Sequence, residues 1–393
     1  MLRRAFALVA VLAAVAAGCS RHGTGPDEAG STTSSAAGSG ATAPSVPGSP
    51  FGPPGDLLRQ PDAAGEGTWW RTRTPAYGAP ALSEGAVLLN YIEQPGLAGE
   101  RRVGLAAYDV GDGRMRWHHA TDCDLSAADP DGSVSDGASV WMCTPPQDDG
   151  PPQDPRIRAY DVDSGRELWR SDLAYEPFTG HVDVEGGRVL IVSVADFELR
   201  DARTGRVIVQ GSDADDVDLG SDGLAVARGG GVDLLDLEGK VTRHLDRRCV
   251  RVFLAADGAV VGVDGGSVLR WEAGATAPAE IASLDDEEMA VALSADHLVT
   301  WVFDGAVRSR DLSRNGEETW RTEQASEAPP LVSGGRAAVD GGSGDHLLRD
   351  IATGRTVAST ETGSFVVGQP DRAVAMSDVV GVTTFGIIPI DPD

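Results

Sequence analysis

The groups of this chain that could do chemistry are the thiols of Cys19, Cys123, Cys143 and Cys249, seven histidines and three acidic runs. None of the histidines (His22, His118, His119, His181, His244, His297, His346) stands in an H-E-x-x-H motif, and adjacent His118 and His119 on a strand would point to opposite faces. The acidic runs Asp129–Asp136 (DPDGSVSD), Ser212–Asp218 (SDADDVD) and Asp285–Glu288 (DDEE) could attract calcium. The first lacks the glycine and the terminal glutamate of an EF-hand loop, and solvated acidic loops are the plainer reading of all three. Gly341–Asp345 (GGSGD) lacks the last glycine of a nucleophile elbow, and no phosphate-binding loop is present. The expectation is no catalytic residue and no metal site.

These groups must be positioned by a repeated unit. Ala159 to Trp169 reads AYDVDSGRELW and Ala107 to Trp117 reads AYDVGDGRMRW, both of the form A-x-D-x-x-x-G-x-x-x-W. Ile157 to Val162 alternates and is rich in strand formers, Asp163-Ser164-Gly165 is turn chemistry, and Glu167 to Arg170 resumes a strand. The unit is a hairpin whose glycine supplies positive φ, with Trp169 covering the hairpin's exposed face. One hairpin cannot bury a core alone, so copies must stack.

The motif positions are Asp109, Gly113 and Trp117; Asp161, Gly165 and Trp169; Asp201 and Gly205; Asp311, Gly316 and Trp320; Asp350 and Gly354. Arg310 to Arg321 keeps all three residues with the glycine displaced by one place. Leu199 to Val209 and Leu348 to Ala358 lose the tryptophan, Leu234 to Thr242 loses a turn residue, and Trp271 to Ala275 is the weakest copy. Including Gly239 and Gly274, seven turns recur roughly 35 to 50 residues apart, which suits one four-stranded propeller blade per repeat. Near the start, Trp69 and Trp70 occupy the place of a blade's last strand with no hairpin before them. Ser364 to Ile390 offers three strands and stops. Pairing of these two segments closes the ring, so the expectation is all-β, an eight-bladed β-propeller, with seven blades as the alternative.

In that ring Cys123 opens the innermost strand of the second blade and Cys143 lies on the next strand. A disulfide between them is geometrically reasonable and contributes about 3 kcal/mol by loop closure. Cys249 opens the fifth blade, out of reach of both, and reads as a buried free thiol.

The A-x-D-x-x-x-G-x-x-x-W spacing resembles the tryptophan-docking motif of the pyrroloquinoline-quinone-type (PQQ-like) β-propeller repeat, over roughly Trp69 to Ile390. The resemblance implies one of two branches: quinoprotein dehydrogenases, or non-catalytic relatives that include the outer-membrane assembly lipoprotein. Catalytic members hold the quinone beside two adjacent disulfide-bonded cysteines and a calcium ion. No Cys-Cys pair exists here. The non-catalytic branch, without cofactor, is therefore the expectation.

MLRRAFALVAVLAAVAAGCS opens with Arg3 and Arg4, runs apolar from Ala5 to Ala17 and ends in small residues. That run is too short to span a bilayer and reads as a secretory signal over residues 1–18. Ala16-Ala17-Gly18-Cys19 resembles a bacterial lipobox, with Ala16 where leucine is usual, which implies acyl chains on Cys19. Residues 19–67 are mostly Ser, Gly, Ala, Thr and Pro. They read as a disordered tether whose ends lie about 35 to 40 Å apart, leaving 68–393 as the propeller. The net charge of −27 repels nucleic acid and anionic lipid.

The combined expectation is a membrane-anchored, extracytoplasmic propeller that binds or scaffolds a protein partner of the cell envelope. It would stand on the outer face of the cell membrane or on the periplasmic side of an outer membrane. The rival expectations are a quinone- or metal-dependent oxidoreductase and a binder of small ligands or glycans in the central channel.

Overall fold

A computed structural model of the protein describes residues 54–59, 68–72, 80–83, 85–93, 102–127, 134–144, 156–172, 181–193, 195–302, 306–323, 329–333, 335–340, 346–360, 364–369, 372–379 and 382–389. The signal segment 1–18, Cys19 and most of the tether lie outside them. Among the described residues there are eight antiparallel sheets and one short helix, the 3-10 turn Leu312–Arg314. No helix among them is long and apolar enough to cross a membrane.

The architecture is a β-propeller. Seven sheets are each built from one continuous stretch, spanning 81–121, 124–172, 181–211, 216–245, 251–283, 288–323 and 331–360; they are called the first to seventh sheets below. Counted this way, the chain builds seven blades from contiguous sequence. The remaining sheet is composite. Its three C-terminal strands, Ser364–Gln369, Arg372–Val379 and Val382–Pro389, are joined by Thr68–Arg71, which pairs with the last of them in the register Trp69↔Gly386 and Trp70↔Phe385. Leu58–Arg59 then adds a fifth strand outside Thr68–Arg71. Its position corrects the expectation of a tether through residue 67: Leu57 is buried, its amide donates to Gly113 O at 2.9 Å, and Met115 N donates to Asp56 Oδ1 at 2.9 Å. A single large apolar side chain is enough to fix this segment, because it lands in a cluster already formed by Trp70, Val87 and Tyr108.

The inner strands complete the ring. Ser364–Gln369 lies against both Leu331–Ser333 of the seventh sheet and Ala81–Leu82 of the first. In the contiguous sheets the second strand is largely buried on both faces, as in Arg188–Val192 and Gly223–Arg228, so the sequence there is an apolar run without alternation. The inner strands do alternate. In His181–Glu185, Val182 and Val184 pack between sheets while the residues between them face the channel.

Each repeat hairpin turns at its glycine. Gly113, Gly165, Gly205, Gly239, Gly274, Gly316 and Gly354 all have φ between 68° and 82°. The turn is pinned by its aspartate: Asp161 O accepts from Gly165 N at 2.8 Å, and Asp161 Oδ1 accepts from Ser164 N and Oγ at 2.9 and 2.7 Å. The tryptophans do not cover their own hairpins as expected. Each reaches across to the glycine turn of the next sheet, because a glycine face is flat enough to receive an indole. A Cβ on Gly165 would stand 2.4 Å from the Trp117 ring, and one on Gly113, Gly205 or Gly354 would strike Trp70, Trp169 or Trp320. The indole Nε1 of Trp117, Trp169 and Trp320 donates to Val162 O, Ala202 O and Ile351 O, the carbonyl after the next motif aspartate. Where the tryptophan is lost, Val209 fills the same place against Gly239. A Cβ on Gly274 would meet nothing within 4 Å, and Arg243, in the tryptophan's position, offers only a long contact to Glu272 O at 3.5 Å.

Three stability changes follow. Gly274→Ala should cost only the positive-φ strain, about 1 to 2 kcal/mol, whereas Gly165→Ala should also displace an indole and cost about 3 to 5 kcal/mol, in the range of losing a large buried side chain. Urea unfolding of the two variants measures both, and equal losses would show that the docking contributes nothing. Trp70→Ala should likewise lower stability by about 3 to 5 kcal/mol by unseating the closure of the composite sheet.

Candidate functional site: the acidic wall of the central channel

The inner strands of the third, fourth and fifth sheets, His181–Glu185, Asp216–Gly220 and Arg251–Leu254, form one wall of a cavity of about 970 Å³. Their sequences HVDVE and DVDLG put the aliphatic residues into the packing between sheets and leave His181, Asp183, Glu185, Asp216 and Asp218 along the cavity. The far side, from the sixth and seventh sheets, is mostly apolar and includes Val291, Leu293 and Val332. The channel therefore has one acidic and one apolar wall.

Few cations answer these carboxylates. Arg251 Nη1 stands 3.2 Å from Asp216 Oδ1, and His181 Nε2 stands 3.4 Å from Asp183 Oδ2. Asp216 Oδ2 and Asp218 Oδ2 accept from the backbone amides of Val252 and Leu254 at 2.8 and 2.6 Å. Burial pushes the Asp218 carboxyl up to about 8, with the Leu254 amide opposing and the charges of Asp183 and Asp216 adding to the rise. Burial also raises Asp216, against Arg251, and raises Glu185, helped by Asp183 and Asp222. His181 loses from burial but gains more from Asp183, and its net shift is upward. Such a wall can hold protons or face a positively charged group; it holds no nucleophile beside a base.

The sequence-predicted groups fall elsewhere. Cys123 and Cys143 form a disulfide with Cα atoms 5.5 Å apart, buried between the first and second sheets. With Asp122 they are the one group of three close potential metal ligands among the described residues, but both sulfurs are bonded to each other and Asp122 pairs with Arg158 at 2.5 Å. Cys249 is a buried free thiol, raised by burial to about 11, packed against the space that a Cβ on Gly262 would occupy. His118 lies edge-on to Tyr91 and His119 beside Trp117, as two faces of one strand require. His244 and His346 pair with Asp233 and Asp340 at 2.7 and 2.5 Å.

The acidic runs are used by the chain itself. Glu288 is engaged by Thr300 and by Arg310 at 2.7 Å, with Arg308 pairing to it and to Asp285. The run Ser212–Asp218 ends in the channel wall at Asp216 and Asp218. Of Asp129–Asp136 only 134–136 are described, and there Asp136 O accepts from Arg203 Nη1 at 2.9 Å. Sequence reasoning missed the wall as a unit. The signal was available in the alternation of HVDVE and DVDLG, which places every acid on one face.

Residues 153–215, which run through the second and third sheets, match the family model described as outer membrane protein assembly factor BamB. No curated protein matches the sequence. Among solved structures, the fold is similar to the crystal structure of BamB from Moraxella catarrhalis, with a TM-score of 0.53 at 15% identity over 84% of this chain and all of that one. It is also similar to the computationally designed Ika8 protein, with a TM-score of 0.51 at 14% identity over 80% of this chain and 97% of the other. This chain thus shares its propeller fold with BamB and carries a segment of the PQQ-like, BamB-type repeat.

Proposed function

We propose that this protein is a binding or scaffolding module of the cell envelope, exported and held at a membrane by acyl chains on Cys19. Its ring would work as eight blades, the composite sheet closing the seven contiguous ones. The observation that carries the reading is the match of residues 153–215 to the outer membrane protein assembly factor BamB, supported by a likeness of fold over 84% of the chain. By that likeness the partner is a protein of the envelope, met on a face of the ring, and the stretch Pro145–Pro155, which links two strands of the second sheet and lies outside the described residues, is long enough to contribute to such a surface. In this reading the protein is not an enzyme and needs no quinone, calcium or other cofactor. A net charge of −27 makes nucleic acid an unfavourable partner. The anchor belongs to the outer face of the cell membrane, or to the periplasmic side of an outer membrane.

Two measurements on the full chain test this. Intact mass of membrane-extracted protein should report cleavage before Cys19 with added acyl mass, and Cys19→Ser should move the protein to the soluble fraction. Crosslinking in intact cells should capture one envelope protein reproducibly, and replacing Pro145–Pro155 by a short Gly/Ser link should reduce that capture at least tenfold. Unmodified Cys19 would remove the anchor, and the absence of any reproducible partner would remove the scaffold.

A further inference from the structure

The junction between the fourth and fifth sheets is built unlike its neighbours. Its two neighbours also lack an indole at the outer rim but fill the place with Val209 over Gly239 and Ala282 over Gly316, whereas a Cβ on Gly274 would meet nothing within 4 Å. At its inner rim two side chains do the joining. Arg251–Leu254 is an edge strand of its sheet, so amides on its open side have no strand to donate to. Asp216 Oδ2 accepts from Val252 N at 2.8 Å and Asp218 Oδ2 from Leu254 N at 2.6 Å. Two residues further on, Gly220 lets the strands converge: a Cβ there would lie 3.1 Å from Leu254 Cβ. Alternate positions of one inner strand thus replace the missing neighbour of the next.

The charges around this seam are unbalanced. From the third sheet His181, Asp183 and Glu185 face it; from its own strand comes Asp216; from the fifth sheet comes Arg251, already engaged by Asp216. The lining from the sixth and seventh sheets brings no charged side chain. Asp218 has no cationic partner within ion-pair distance among the described residues.

We propose that this seam is a proton-operated joint, closed while Asp218 keeps its proton and loosened at the channel wall when Asp218 ionises. Burial lifts that carboxyl to about 8, above the roughly 3.9 of an unfolded aspartate, despite the favourable amide of Leu254. The folded chain therefore holds a proton that the unfolded chain releases. Stability from this group is complete below about pH 4 and is lost as pH rises to about 8. Once ionised, Asp218 gains by turning to water and away from Asp183 and Asp216, which releases the amide of Leu254. The device sits in the one wall of the channel with an excess of acid, so the shape and charge of that wall change together.

The test is a pH series on the full chain. Between pH 5 and 8 the folding equilibrium constant of the parent should fall about tenfold per pH unit more steeply than that of Asp218→Asn, which keeps a carbonyl acceptor without the charge. Hydrogen exchange, corrected for intrinsic rate, should show the Leu254 amide losing at least tenfold protection between pH 7 and 9 while Leu224 in the fourth sheet does not. Equal slopes for parent and variant would overturn the proposal. So would unchanged or increased protection at Leu254, a result readable on the parent alone if the variant does not fold.

Discussion

An indole laid on the glycine turn of the neighbouring sheet is the contact on which this ring rests. It needs two things of the sequence at once: a residue without a side chain, at positive φ, and a large flat side chain four places on from the previous sheet's own glycine. The same short motif therefore supplies the receptor for one neighbour and the ligand for the other. A hairpin carrying it is half of two interfaces, and a chain of such hairpins can only be satisfied by curving until each has a partner. The indole N–H adds direction, since it meets the carbonyl following the next aspartate and not any other group along the turn.

Variation around the ring shows how far that contact can be relaxed. A valine in place of the tryptophan still fills the space above Gly239. An arginine above Gly274 does not, and there the inner strands come together through carboxylates and a glycine instead. Apolar docking at the rim is indifferent to pH, whereas a carboxylate seam is not. The junction of the fourth and fifth sheets thus differs in chemistry from the docked ones, and it borders the acidic side of the channel.

The repeat was legible because its turn chemistry is local. The positive φ at all seven glycines, the hairpin around Gly165, the reach of Cys123 to Cys143 and the isolation of Cys249 all follow from residues close in sequence or from their place in a repeat. Two things were not legible. The direction in which Trp169 points is set by the next sheet, not by its own hairpin, and spacing within one copy carries no information about that. The fixing of Leu57 depends on a pocket made by residues far along the chain, so composition alone made its surroundings look like tether. The acidic wall lay between these cases. Alternation in HVDVE and DVDLG showed that the acids share a face, but only the ring shows that the two faces adjoin.

The composite sheet has a consequence for the order of events in folding. Thr68–Arg71 can pair with Val382–Pro389 only after everything between them has been synthesised, so the earliest strand waits for the latest. Until then Trp70 and Leu57, both buried in the finished ring, are exposed together with the open edge of an incomplete sheet, a combination that invites association with other chains. A nascent chain of this design is most vulnerable just before its last strand arrives, and a nick or stop codon in the final thirty or so residues would strand the amino-terminal segment as surely as its deletion would.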